Sequence, residues 1–141
     1  MKNQVLSIDQ MQRLKELGVD TSKANIYWAR RSHGSSFNDN SEGEWFLSLQ
    51  KEYIVYSFTS YGVVPTFTLQ DIISMLPDSI DNNMLTIRKN ANVVSVSYEN
   101  LYTRSILSIS QEDSLIKSSY EMLVWCLSYG IIKTNNKIEQ H

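Results

Sequence analysis

Apolar residues recur at helical spacing in three stretches of this chain and alternate with polar ones in several others. Ile8, Met11, Leu14 and Leu17 form the first stripe, with Asp9, Gln12, Arg13 and Lys15 polar between them, and predict a helix over 8–17. Ser7 suits the N-cap because its hydroxyl can accept from a free first-turn amide. Gln10, three residues on, completes a capping box, and Leu6 with Met11 forms a hydrophobic staple. Gly18 supplies a left-handed residue after the helix, so that Val19 folds back on Leu14. A second helix is predicted over 69–76, from Thr68 as N-cap with Asp71 as its partner to the stop at Pro77. The third runs from Gln111 or Glu112 to Tyr129 and carries the widest stripe: Leu115, Ile116, Met122, Leu123, Cys126 and Leu127, with Ser119 between its turns. Glu112 and Asp113 favour the positive end of its dipole, and Gly130 caps the other end.

Alternation predicts strands between these helices. One spans 25–31, with Ile26, Trp28 and Arg30 on one side. The next spans 44–50, with Trp45, Leu47 and Leu49, and a third spans 53–59, with Ile54, Tyr56 and Phe58. Lys51-Glu52 reads as a turn, and Gly62 and Pro65 as the end of this meander. Beyond the second helix, strands are expected over 84–88 and 93–98, joined by Lys89-Asn90-Ala91-Asn92. Leu85 with Ile87, and Val94 with Val96, form their apolar faces. A further strand belongs within 102–109. The stretch 32–43, SHGSSFNDNSEG, has the composition of a loop, and its length marks it as mobile or functional.

Short turns favour antiparallel pairing over parallel crossovers. The expectation is a single α+β domain over 1–133, an antiparallel sheet or two sheet halves covered by three helices, in the order α-β-β-(β)-α-β-β-(β)-α, with a polar, frayed tail over 134–141. LSIDQM at 6–11 and FTLQDI at 67–72 match in class and order. Two readings stand: an internal duplication, or two amphipathic helices capped by the same chemistry.

Composition narrows the function classes. A length of 141 residues suits one domain, and 42% hydrophobic with 20% charged residues is ordinary globular material. A net charge of −2 argues against coating nucleic acid by charge alone. The single cysteine excludes an intramolecular disulfide and a multi-cysteine zinc site. No apolar run reaches the length of a membrane span, and MKNQVLSIDQM lacks the apolar core of a signal peptide, so a cytoplasmic location is expected and no membrane contact.

Candidate chemistry is sparse. His33 with Asp39, Glu42 and Glu44 is the one cluster with ligand-type side chains, and its irregular spacing reads as a solvated loop. Cys126 sits on an apolar stripe, where a thiol behaves as a small hydrophobe rather than a nucleophile. Neither a G-x-S-x-G elbow nor a glycine-rich phosphate loop is present. No catalytic, cofactor-binding or metal-binding residue is therefore assigned, and no cofactor is expected. An enzyme whose site the sequence does not display is the third-ranked reading.

Three blocks carry a resemblance: LSIDQMQRLKELGVDTSKA (6–24), PTFTLQDIISMLP (65–77) and DSLIKSSYEMLVWCLSYG (113–130). Together they resemble uncharacterised short proteins of gut Bacteroides species and their prophages. The resemblance implies context only: a cytoplasmic accessory protein of mobile-element character, with no activity or site residue attached.

Two binding readings remain. Eight tyrosines and three tryptophans are ample for a protein interface, since these side chains carry much of the energy of such contacts. The surface expected for a protein partner is the 32–43 loop with Trp28, Phe37 and Trp45, together with Tyr53, Tyr56 and Tyr61. These aromatics can equally fill the core and keep their polar ends in water. The alternative is a nucleic-acid-binding regulator that uses Tyr27, Arg30, Arg31, Arg88, Lys89 and Arg104 on strands, where aromatics stack bases and cations meet phosphates.

Overall fold

A computed structural model of the protein describes residues 4–31, 45–49 and 61–134. The first helix, α1 (Ile8–Glu16), begins with the expected reciprocal cap. Gln10 N–H donates to Ser7 Oγ at 3.2 Å, and Ser7 N–H donates to Gln10 Oε1 at 2.8 Å. It ends in a Schellman turn: Val19 N–H donates to the Leu14 carbonyl and Gly18 N–H to that of Lys15, both at 3.0 Å. The second helix, α2 (Leu69–Met75), repeats the box with Thr68 and Asp71. Leu76 after it is extended, at ψ 133°, because Pro77 excludes the helical region for its predecessor.

The third helix, α3 (Leu115–Ser128), starts later than the periodicity predicts. Ser114 is its N-cap and accepts from Lys117 N–H at 3.3 Å, an amide that Gln111 and Glu112 could not serve. Those two residues instead extend a strand. At the other end Gly130, at φ +72°, lets Ile131 N–H reach the Cys126 carbonyl at 2.9 Å.

The strands form two antiparallel sheets. In the first, β1 (Ile26–Arg31) lies between β2 (Phe46–Ser48) and β3 (Tyr61–Thr66). Gly62 and Pro65, expected to end the meander, lie inside β3. Among the described strands β3 is an edge, and an edge tolerates a residue with no N–H to donate. Leu49, expected on an apolar face, falls beyond β2 and is exposed. The strand expected over 53–59 and the 32–43 loop lie outside the described residues.

The second sheet has the order β4-β5-β6-β7, from β4 (Ser79–Ile80), β5 (Asn83–Asn90), β6 (Val93–Glu99) and β7 (Ile106–Glu112). β5 and β6 pair further than predicted, so their turn narrows to Ala91-Asn92, with Ala91 at φ +52°. Among the described residues the chain is thus an α+β fold of three helices and two antiparallel sheets, in approximately the expected order with β4 added.

Every residue of β6 after Val93 is buried, which makes it the spine of its sheet. Val96 and Tyr98 point into the core with Leu6, Met11, Leu14, Phe67, Ile72, Leu123 and Cys126. The Ser118 hydroxyl of α3 donates to the Val94 carbonyl, and Tyr98 OH donates to the Pro77 carbonyl at 2.7 Å. These bonds place the helices on the Val94, Val96 and Tyr98 face of the sheet. Thr134, the first residue of the expected tail, is buried against Gly18; residues 135–141 lie outside the described residues. No described helix is long and apolar enough to cross a membrane.

Candidate functional site

The opposite face of the four-stranded sheet carries no described helix. Register arranges it in three cross-strand rows: Met84–Glu99–Ile106, Thr86–Ser97–Ile109 and Arg88–Ser95–Gln111. Partners in register share a face, so these nine side chains form one surface. Its centre is polar and covered, with Ser95, Ser97 and Glu99 all buried. Its flanks carry open apolar side chains beside Thr86, Arg88 and Gln111: Met84 is 49%, Ile106 50% and Ile109 46% exposed. A bulge at Tyr98/Glu99 against Ile106 and Ser108 leaves Leu107 unpaired with β6, and it is also exposed.

Arg88 organises this face. Its Nε donates to Glu99 Oε2 at 3.2 Å and its Nη2 to Glu99 Oε1 at 3.0 Å, a two-pronged ion pair. Ser97 Oγ adds a third bond to Glu99 Oε2 at 2.7 Å. Arg88 belongs to the third row and Glu99 to the first, so the guanidinium reaches across the middle row. Serines at 95 and 97 keep the floor low along that span. The Arg88 guanidinium, and then the Ser97 hydroxyl, hold the Glu99 carboxyl below the usual carboxylate range, and Glu99 holds Arg88 more firmly charged. The pair is a fixed dipole, with half of the Arg88 side chain still open to water.

Two grooves border the face. One, of about 580 Å³, lies at the end of the sheet among Asp78, Asp81, Met84, Asn100 and Tyr102. The other, of about 560 Å³, runs between β7 and α3 and is lined by Ser110, Glu112, Glu121, Trp125 and Tyr129 among others. Trp125 and Tyr129 lie with ring centroids 5.4 Å apart, and Tyr129 is 72% exposed.

The buried titratable groups on the other side of the sheet are held protonated. Burial pushes the Cys126 thiol up to about 11 and raises the Tyr98 hydroxyl above the ordinary tyrosine range. Cys126 is fully covered by core side chains, as its place on the apolar stripe implied.

Of the residues expected to bind a protein, Trp28, Trp45 and Tyr61 lie on or beside the three-stranded sheet. Trp28 is half-buried and donates its indole N–H to the Leu6 carbonyl at 2.8 Å. Trp45 lies just before β2 with the Arg30 guanidinium 4.5 Å above its ring, a cation–π contact. Tyr61 pairs with Arg31 in the β1–β3 ladder. Phe37, Tyr53 and Tyr56 lie outside the described residues, as do His33, Asp39, Glu42 and Glu44. Of the residues expected to meet nucleic acid, Tyr27, Arg30 and Arg31 lie on β1 and Arg88 and Lys89 on β5. Tyr27 donates its hydroxyl to the Ala24 carbonyl at 2.9 Å. Arg104 precedes β7, at φ +64°. Lys89 alternates to the face opposite Arg88.

Sequence reasoning singled out Arg88 but missed Glu99, Met84, Ile106 and Ile109. The available signal was the alternation in VVSVSYE, where serines and a terminal glutamate interleave with Val94, Val96 and Tyr98. Comparison with protein-family models, with curated proteins and with solved structures returned no match.

Proposed function

We propose that this chain is a small, non-catalytic accessory or adaptor protein that docks another protein on the helix-free face of its four-stranded sheet. The observation that carries the reading is the set of three cross-strand rows, in which exposed Met84, Ile106 and Ile109 flank the fixed Arg88–Glu99 pair. Apolar contact area around a few pre-ordered polar groups is the composition of a protein interface, and arginine is enriched at such surfaces. A nucleic-acid partner is the weaker reading, because Glu99 already neutralises Arg88 and the chain is net acidic. The sequence resemblance to prophage-associated proteins fits an accessory role of the same kind.

The test is capture of partners from host lysate by the tagged chain and by its Met84→Lys variant, each with and without nuclease, read by mass spectrometry. A protein retained through nuclease treatment by the unaltered chain and lost with Met84→Lys supports the reading. Recovery of nuclease-sensitive material alone, or the same protein on both baits, overturns it. Met84 is half-exposed, and circular dichroism of the variant checks that it folds.

A further inference from the structure

The groove between β7 and α3 collects acidic and aromatic side chains without a base. Glu112 stands on its β7 wall, on the helix side of the sheet, in register with Val94. Glu121, Trp125 and Tyr129 stand on its α3 wall at successive turns and so form one stripe. Among the described residues no lysine, arginine or histidine lines the groove, and neither carboxylate has an ion-pair partner. Lys117, the one base of α3, stands a turn before Glu121 but is committed to Asp113 at 3.0 Å. Lys89 shares the row of Glu112, with Val94 between them, two strand spacings or about 10 Å away. Arg13 of α1 acts on the neighbouring Tyr120 hydroxyl and makes no ion pair with Glu121. In the β7 wall, Ser110 Oγ is buried without a hydrogen-bond partner among the described residues, an unused acceptor.

We infer that this groove binds an arginine side chain presented by a segment of a partner protein. Every feature of its lining favours a cation. Aromatic faces carry negative potential, and two carboxylates without a counter-ion add to it. The same lining repels phosphate, which separates this site from any reading based on nucleic acid. Guanidinium fits better than ammonium. It is planar and weakly hydrated, so it can lie flat on a ring while its edge donates N–H groups to a carboxylate. A quaternary ammonium is held by a cage of rings around it, whereas Trp125 and Tyr129 both belong to one wall. Tyr129 keeps most of its surface in water, so its ring is open to such a partner. The groove lies on the helix side of the sheet, and Met84 lies on the other face, so this is a second surface beside the one proposed above.

Titration calorimetry of the full chain at low ionic strength tests this, with acetylated and amidated tetra-arginine, tetra-lysine and tetra-citrulline as probes. Tetra-arginine is expected to bind about fivefold more tightly than tetra-lysine, and tetra-citrulline, which keeps the shape and loses the charge, not to bind. Glu112→Gln, Glu121→Gln and Tyr129→Leu should each weaken tetra-arginine about fivefold. Asp81→Asn removes the same charge from the β4–β5 turn, at the far edge of the sheet, and should leave the affinity unchanged. All four positions are exposed, and circular dichroism checks that each variant folds. No binding of tetra-arginine, equal affinity for tetra-lysine or tetra-citrulline, indifference to the three groove variants, or equal weakening by Asp81→Asn overturns the inference. Met84 plays no part in this test, so failure here leaves the proposed partner surface to its own.

Discussion

The Leu6 amide donates to the Phe67 carbonyl at 3.0 Å, and both residues stand one position before the N-cap of their helices. Val5 bridges Thr68 antiparallel in the same register, so the contact is centred on the two equivalent positions of LSIDQM and FTLQDI. A local antiparallel match therefore joins the starts of α1 and α2. It does not extend to the sheets, where β1 is central in one and β6 lies inside the β4-β5-β6-β7 order of the other. The Leu6 carbonyl is the knot of this clasp: Trp28 Nε1 donates to it at 2.8 Å and Thr66 Oγ1 at 2.7 Å.

Because two donors share one buried acceptor, their loss is expected to be non-additive. Thr66→Val leaves the Leu6 carbonyl served by Trp28 and costs about 1 kcal/mol. Trp28→Phe leaves it served by Thr66. The double variant orphans a buried carbonyl, so its destabilisation exceeds the sum of the two by about 1 kcal/mol. Urea unfolding of the four proteins in this cycle measures the excess. Strict additivity would show that the two bonds are energetically independent.

Acid should find the Arg88–Glu99 pair. The folded Glu99 carboxyl titrates below its ordinary value of 4.5, held there by Arg88 and then Ser97. A depressed carboxylate contributes stability that is fully present above the unfolded value and is lost as pH falls through the folded one. Unfolding midpoints of the unaltered chain should therefore drop below about pH 4.5. Glu99→Gln should be less stable near neutrality and show a flatter acid limb. An acid limb identical in both proteins would remove Glu99 from the account.

What was legible in the sequence follows the range of the forces involved. Ser7 with Gln10, and Thr68 with Asp71, are devices three residues wide, so both helix starts could be read directly. The start of α3 could not. Glu112 and Asp113 suit a helix dipole, and only the pairing of Gln111 with Ser95 and Glu112 with Val94 shows that β7 claims the first of those acids. Pro65 reads locally as a breaker, and its tolerance is a property of where β3 lies in the sheet. Arg88 and Glu99 lie eleven residues apart and meet only through the β5–β6 register, so the centre of the candidate site is a tertiary fact.

Cys126 should be inert while the chain is folded. Its thiol is fully covered and pushed up to about 11, so the reactive thiolate is scarce at neutral pH and an alkylating reagent has no path to it. Iodoacetamide at pH 7.5 is expected to leave the native chain unmodified and to label it stoichiometrically in urea, read by intact mass. Fast labelling of the native chain would mean that α3 opens readily from the sheet.

Gly18 and Gly130 end α1 and α3 in the same left-handed conformation, at φ +95° and +72°, and differ in their surroundings. A side chain at 130 would meet no atom within 4 Å, so Gly130→Ala carries only the backbone penalty of about 1–2 kcal/mol. A Cβ at 18 would lie 2.7 Å from Thr134 Oγ1, closer than real contacts allow, and 3.2 Å from Thr134 Cβ, a tight contact. Thr134 is buried and its hydroxyl has no partner among the described residues, so relieving the clash displaces a packed side chain from the end of α1. Gly18→Ala is thus expected to destabilise more than Gly130→Ala in urea unfolding. Adding Thr134→Ala should recover part of the difference for Gly18→Ala and none for Gly130→Ala. Equal costs at the two glycines would show that the segment ending at Thr134 does not hold the end of α1.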